Sequence, residues 1–355
     1  MSISAVVRVA AVAVVAIVMA ACSSARGASP SAPVAQPEPA HAAPTPVVPG
    51  SASATPRVPL ASATPGLPGS SVTPDLSEAP ASPIAINRTV TVDTEAGPRT
   101  AVVHHPAGLH RGAPMVVVLH GAYGSGEQAR NTFGWDALAD REGVLVAYPN
   151  GVGRTWNAGH CCGPAHNAKI DDVAFLHRLV EQLVVQDGVD RYRVYAVGMS
   201  NGAMMAYAWA CGRPHDLAGI GPVAGALVTD CPQPPVLNVV AVHGGADHSV
   251  PVTGGIGPKS VTRFKYPPLA TTLAPFLAAD RCAPTPRRND RAAVHVSTYD
   301  CLSGAGVTVA VIDGVGHDWP GSRVFDPVRR VLRESFVPLD ATNFLWTHLR
   351  TVRMS

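Results

Sequence analysis

Five stretches of this chain are apolar at nearly every position: Met115–His120, Val144–Tyr148, Arg193–Val197, Leu237–His243 and Val307–Ile312. A strand with one wet face alternates apolar and polar residues. A strand that is apolar throughout must be covered on both faces, which is the condition inside a parallel sheet. Ile86–Asp93, Arg99–His104 and Ile220–Ala224 add three further β-rich runs. Helical periodicity appears at Trp135–Glu142, Asp172–Gln186, Asn201–Ala210 and Thr342–Leu349. Strands come first, then strands alternate with helices. That order predicts an α/β fold: one domain over 85–350, with a mostly parallel eight-stranded sheet and helices on both faces.

The residues before this domain cannot build a core. No aromatic residue precedes Tyr123, and the stretch 22–84 is rich in Pro, Ala, Ser and Thr, holding 14 of the chain's 34 prolines. Such a segment favours extended conformations and reads as a disordered tether. Ahead of it, Arg8 is followed by the apolar run VAAVAVVAIVMAA, the pattern of a signal peptide over 1–21. The run ends VMAAC, which resembles a bacterial lipobox with Cys22 as the lipidated residue. Export to the outer face of the membrane, or secretion, is therefore expected, with a membrane contact through a lipid on Cys22. The net charge of +2 and the lack of a Lys/Arg run argue against a nucleic-acid partner. No obligate protein partner is indicated.

Seven cysteines minus Cys22 leave six, an even number that suits disulfides in an exported protein. Fifteen pairings are formally possible. Cys211 with Cys231 and Cys282 with Cys301 are the sequence-local pairs, each closing a loop worth roughly 3 kcal/mol. Cys161 and Cys162 then remain, as a vicinal bridge or as two thiols, and the pairing stays open at this level. His160 and His166 flank them, but adjacent thiols suit no common structural zinc spacing, so no metal is expected.

Gly198-Met199-Ser200-Asn201-Gly202 lies where the strand Arg193–Val197 gives way to a helix. G-x-S-x-G in that context is the nucleophile elbow of α/β-hydrolases, a strained turn that projects the serine hydroxyl above the sheet. A Cβ at either flanking position would collide with the neighbouring strand or helix. A serine hydroxyl is a poor nucleophile without a base, and the base needs an acid to hold its tautomer. Asp247 follows the strand Leu237–His243, and His317 follows the strand Val307–Ile312. Both therefore fall at the carboxyl edge of the sheet, where ligands bind in open α/β folds. The chain order Ser200, Asp247, His317 is the order that fold requires.

Other candidates fit less well. His248 adjoins Asp247 but would face away, His348 lies in the last helix, and Asp318 is too close to His317 to orient its ring. Asp171 and Asp172 open a helix, where capping explains them. For the oxyanion, the backbone N–H of Asn201 and that of Ala122 are the expected donors, with Gly121 allowing the backbone to turn. One such donor is typically worth about 2.7–4 kcal/mol in the transition state. Tyr123, Trp156 and Trp319 fall near loops at this edge and are candidates for lining an acyl or aryl pocket, core packing or rim cover being the alternatives for the two tryptophans. Gly124–Ala129 matches G-x-G-x-x-A, but Tyr148-Pro149-Asn150 supplies no acidic residue for a ribose, so no dinucleotide cofactor is expected.

VVVLHGAYGSGEQ, VAYPNGVGRTWNAGHCCGPA, IDDVAFL, VYAVGMSNGAMMAY, VHGGADHSVP and GVGHDWPG together resemble the secreted esterases grouped with polyhydroxybutyrate depolymerases and feruloyl esterases. They look most like the lipoprotein esterase branch of mycobacteria and relatives. The resemblance implies an α/β-hydrolase fold and a cofactor-free serine carboxylesterase acting on polyhydroxybutyrate-like, feruloyl or related esters. It implies Ser200 as nucleophile, Asp247 as acid and His317 as base, and it supports the Cys211–Cys231 and Cys282–Cys301 pairings. Phe276 stands where the family often has Trp, and Val315 interrupts what is often a run of glycines before the histidine. Two other readings use the same residues: an acyltransferase of the cell envelope, and a binding lipoprotein with an inactive site.

Overall fold

The apolar runs come together side by side in the computed structural model, which describes residues 84–322 and 339–354. The expected signal peptide, Cys22 and the tether up to residue 83 lie outside the described residues. Strands β1 (Ile86–Thr94) and β2 (Gly97–His105) form an antiparallel hairpin, and β2 runs antiparallel to β4 (Leu145–Pro149). From β4 the pairing is parallel through β3 (Met115–Leu119), β5 (Val194–Met199), β6 (Gly219–Val223), β7 (Asn238–Gly244) and β10 (Val307–Ile312). The strand order is β1-β2-β4-β3-β5-β6-β7-β10-β9-β8. This is the α/β-hydrolase arrangement, with the parallel centre that the continuous apolar runs predict.

Ten strands are present among the described residues, not eight. The two additional strands, β8 (Arg287–Arg291) and β9 (Val294–Tyr299), make an antiparallel hairpin beyond β10. β8 reads RRNDR and every residue of it is exposed, so no apolar pattern marked it. Its charges suit an edge strand, because they discourage pairing with another chain.

Alternation within each strand divides the core in two. Met115, Val117 and Leu119 of β3 face a core shared with α4 (Asp172–Asp187), α5 (Asn201–Gly212) and α6 (Leu269–Ala279). Val116 and Val118 face the opposite core, with α1 (Gly126–Phe133), α2 (Trp135–Glu142) and α7 (Ala341–Leu349). The sequence reading missed α1, the single turn α3 (Pro164–Asn167) and α6. α1 has a polar composition, GEQARNTF, and α6 carries Pro275 in its interior, so neither displays a clean apolar stripe. α5 is buried from Asn201 to Ala210 on all sides, so it sits at the centre of its layer rather than on a surface.

Two disulfides tie the loops, Cys211–Cys231 and Cys282–Cys301, and the sulfurs of the adjacent Cys161 and Cys162 lie against each other. Beside the second disulfide lies Asp280, fully buried at the end of α6, with neither carboxylate oxygen in a hydrogen bond. Burial pushes its carboxyl up to about 6, and the nearby Ser303 hydroxyl offsets this only in part. The folded protein thus keeps a proton that the unfolded chain releases near pH 4. The stability carried by that proton is present below about pH 4 and is lost as pH rises through about 6. Asp280→Asn is expected to raise the melting temperature at pH 8, by an amount equivalent to roughly 1–3 kcal/mol, and to leave it near wild type at pH 4. Thermal unfolding of both proteins at the two pH values checks this; a variant less stable than wild type at pH 8 contradicts it.

Candidate active site

β5 ends at Met199 and α5 begins at Asn201, leaving Ser200 alone at the junction with φ 57° and ψ −119°. A non-glycine residue rarely takes that conformation, and holding it costs of order 1–3 kcal/mol. The backbone around it supplies the restraint. Ser200 N–H donates to the Val223 carbonyl (2.9 Å), and the Ser200 carbonyl accepts from Met204 N–H (3.0 Å). The two flanking glycines are sterically required. A Cβ on Gly198 would lie 2.6 Å from the carbonyl carbon and oxygen of Gly202, and one on Gly202 would run into the carbonyl oxygens of Leu119 and His120.

The loops after β7 and β10 lie against each other. Gly245 N–H donates to Ile312 O (2.7 Å) and Ala246 N–H to Val315 O (2.9 Å). Gly244 allows this approach, since a Cβ there would strike the carbonyls of Val315 and Gly316. The outcome is that His317 sits between the other two residues. Its Nδ1–H donates to Asp247 Oδ2 at 2.8 Å, and its Nε2 lies 2.9 Å from Ser200 Oγ. With Asp247 ionised, Nδ1 must carry the proton, so Nε2 is free to accept from the serine hydroxyl.

Asp247 is completely buried at its side chain. Its Oδ1 accepts from the N–H groups of Ser249 and Val250, both at 2.8 Å. A second imidazole, His243, approaches its Oδ2 at 3.4 Å while donating Nε2–H to Val250 O at 2.8 Å. Burial by itself would raise the Asp247 carboxyl. Hydrogen bonds from His243 and His317, the His317 charge and the Val250 N–H outweigh it, and the group is held well below the usual carboxylate range. His243 was not singled out by sequence; it belongs to β7 and reads there as one more strand residue. Its position four residues before Asp247 was the available signal.

Ala122 and Asn201 line the same cavity as Ser200 and His317, a recess of about 190 Å³. Among the described residues, neither backbone N–H donates to a protein acceptor. A turn opens at Gly121, closed by Gly124 N–H donating to Gly121 O (3.0 Å), and the left-handed residue within it is Tyr123 (φ 64°). Tyr123 is 60% exposed and lines the cavity.

Trp156 and Trp319 do not line it. Both are buried in the core. Trp319 stacks on Phe133 with ring centroids 4.2 Å apart and donates Nε1–H to Thr342. Trp156 instead braces the turn from below. The Asn201 side chain accepts from Trp156 N–H (2.7 Å) and donates to Trp156 O (3.0 Å), and the indole N–H donates to His120 O (2.9 Å). His120 donates Nδ1–H to Gly121 O and accepts from Gly151 N–H at Nε2. Burial, together with the charges of Arg154 and Arg99, lowers its pKa to about 4 against a raising hydrogen bond to Gly121. It therefore stays neutral and structural at ordinary pH. An apolar aromatic near a predicted loop is as easily a support as a wall, and only packing distinguishes the two.

The lesser candidates have partners elsewhere. Asp171 caps α4 by accepting from Ala174 N–H, and Asp172 forms a buried ion pair with Arg99 at 2.7 Å. His348 bonds to Phe344 O within α7. His160 faces Asp230 and His166 faces Asn157.

Residues 100–253 match the family described as Esterase PHB depolymerase. The chain is 33% identical over 235 residues to the protein named "Putative esterase NocK" of Nocardia uniformis subsp. tsuyamanensis, an overlap of 60% of this chain and 67% of that one. It is 25% identical over 235 residues to feruloyl esterase B of Piromyces equi, covering 62% of this chain and 42% of that one. With feruloyl esterase C of Emericella nidulans the figures are 29% over 216 residues, 59% and 68%.

Proposed function

Since the chain belongs to the esterase PHB depolymerase family, we propose that it is a serine carboxylic-ester hydrolase in which Ser200, His317 and Asp247 are nucleophile, base and acid. The observation that carries this reading is the continuous line of contacts from Ser200 Oγ to His317 Nε2 and from His317 Nδ1 to Asp247 Oδ2.

Each step follows from that line. His317 Nε2 takes the proton as Ser200 Oγ attacks the ester carbonyl carbon. The carbonyl oxygen becomes an oxyanion and accepts from the N–H groups of Asn201 and Ala122. Asp247 stabilises the imidazolium without taking its proton. His317 then gives the proton to the departing alcohol oxygen, and the acyl group remains on Ser200. Water enters, His317 accepts its proton, and collapse of the second tetrahedral intermediate returns the acid and the serine hydroxyl. The clamp between Asn201 and Trp156 supports the role of the Asn201 amide, because it holds the first turn of α5 in place before any charge develops.

Polyhydroxybutyrate-like, feruloyl and related esters are the substrates we assign, on the strength of the relatives' names. Export and lipidation at Cys22 rest on the VMAAC sequence and the tether that follows it. A fluorophosphonate probe tests the chemistry. The purified protein is expected to take up one equivalent, mapped to Ser200 by peptide analysis, and to lose ester hydrolysis in step. No labelling, or labelling at another residue, refutes the assignment. Parallel assays on methyl ferulate, 4-nitrophenyl butyrate and polyhydroxybutyrate rank the substrates.

A further inference from the structure

One wall of the cavity is built from the loop between β7 and α6. Paired backbone bonds between Gly255 and Tyr266, at 2.8 and 2.9 Å, close the base of that loop. Its tip is fixed to the Asp247 loop, where Lys259 N–H donates to His248 O at 2.9 Å. Three hydroxyls run along this wall in contact with one another. Ser260 Oγ lies 3.2 Å from Thr262 Oγ1, which lies 3.0 Å from the hydroxyl of the buried Tyr266. Lys259 stands beside them, exposed and lining the same cavity.

The charge of this recess is one-sided. Among the described residues, no Asp or Glu lines it. Among the described residues, Lys259 has no carboxylate partner. The two carboxylates next to His317 in space and in sequence have partners of their own: Asp247 holds His317, and Asp318 accepts from Trp319 N–H. A cation that lacks an ion pair, set next to a row of hydroxyls that can donate, matches an anion with several acceptor oxygens. A purely apolar acyl chain leaves those hydroxyls and that charge unused.

We propose that Lys259 and the Ser260–Thr262–Tyr266 hydroxyl row form a subsite for an ionised carboxylate on the substrate, so that the preferred esters are anionic. The inference rests on the esterase reading and adds the substrate's charge to it. The carboxylate is recognised at a distance from the reacting carbonyl, so the preference lies mainly in KM.

The test compares matched esters that differ by one carboxylate. On the acyl side the pair is the mono-4-nitrophenyl ester of adipic acid against 4-nitrophenyl hexanoate. On the alcohol side it is the butyryl ester of 3-hydroxybenzoate against phenyl butyrate. In at least one pair, wild type is expected to favour the anionic ester by about 2–5-fold in kcat/KM at low salt, the range for an exposed ion pair. The preference shrinks in 0.5 M NaCl, because screening then acts within a few ångströms. Lys259→Met lowers the anionic-to-neutral ratio by the same factor, and Lys259→Arg retains it. The pair that responds identifies which side of the ester carries the charge. Ratios that Lys259→Met leaves unmoved in both pairs overturn the subsite while the hydrolase assignment stands. Failure of wild type to cleave any of the four esters overturns both.

Discussion

Ser200→Ala is expected to lower kcat on 4-nitrophenyl butyrate by about 10⁴–10⁶-fold, with the melting temperature within a few degrees of wild type. The effect is large because no neighbouring group can replace the hydroxyl. Ser200 Oγ is the atom that faces His317 Nε2, and the turn that presents it is held by backbone bonds to Val223 and Met204 that alanine keeps. Alanine also keeps the positive φ of 57° with the same Cβ, so it adds no new strain. What remains is the contribution of the two oxyanion donors and of substrate binding. Steady-state kinetics and a thermal melt on the purified variant check both halves. Retention of more than about a tenth of the activity removes Ser200 from the mechanism.

Asp247→Asn is expected to cost about 10⁴-fold in kcat with little loss of fold. The geometry forces this result. Oδ1 of Asp247 accepts from two amides, Ser249 N–H and Val250 N–H, so in the variant the amide oxygen must stay on that side. The NH₂ group then replaces Oδ2 and points at His317 Nδ1. A donor facing Nδ1 stabilises the tautomer with the proton on Nε2, which cannot accept from Ser200. Turning the amide over instead places its NH₂ against two N–H groups, which loses both hydrogen bonds. Activity measurements together with the nitrogen chemical shifts of His317 test this chain of events. A variant within tenfold of wild type, or one with Nε2 unprotonated, contradicts it.

The reach of sequence reasoning differs from feature to feature. Strand centres were readable because burial on both faces demands continuous apolar residues, as in Met115–Leu119. The glycines at 198 and 202 were readable because a strand-to-helix turn this tight excludes a Cβ. The edge hairpin Arg287–Tyr299 was not, because an exposed strand carries no burial signature. For Trp156 and Trp319 the sequence left pocket wall and core packing open, and both are buried. Periodicity places a residue on an element but does not tell which of two neighbouring volumes its ring fills. His243 and the hydroxyl row on the loop after β7 were invisible for a related reason. Their roles depend on contacts with residues whose distance is unrelated to their spacing along the chain.

By itself, then, the order of residues determined that a two-faced sheet would form, and that a serine, an aspartate and a histidine would each follow a strand at its carboxyl end. Those facts are local, set by side-chain burial and by the space a turn allows. Only the tertiary structure decided that His317 lies 2.8 Å from Asp247 and 2.9 Å from Ser200, that a second imidazole, His243, approaches Asp247, and that Lys259, with no carboxylate partner among the described residues, lines the cavity beside Ser200. Hydrogen bonds and charges act over a few ångströms, and distance along a chain of 355 residues carries no information on that scale until the strands have paired.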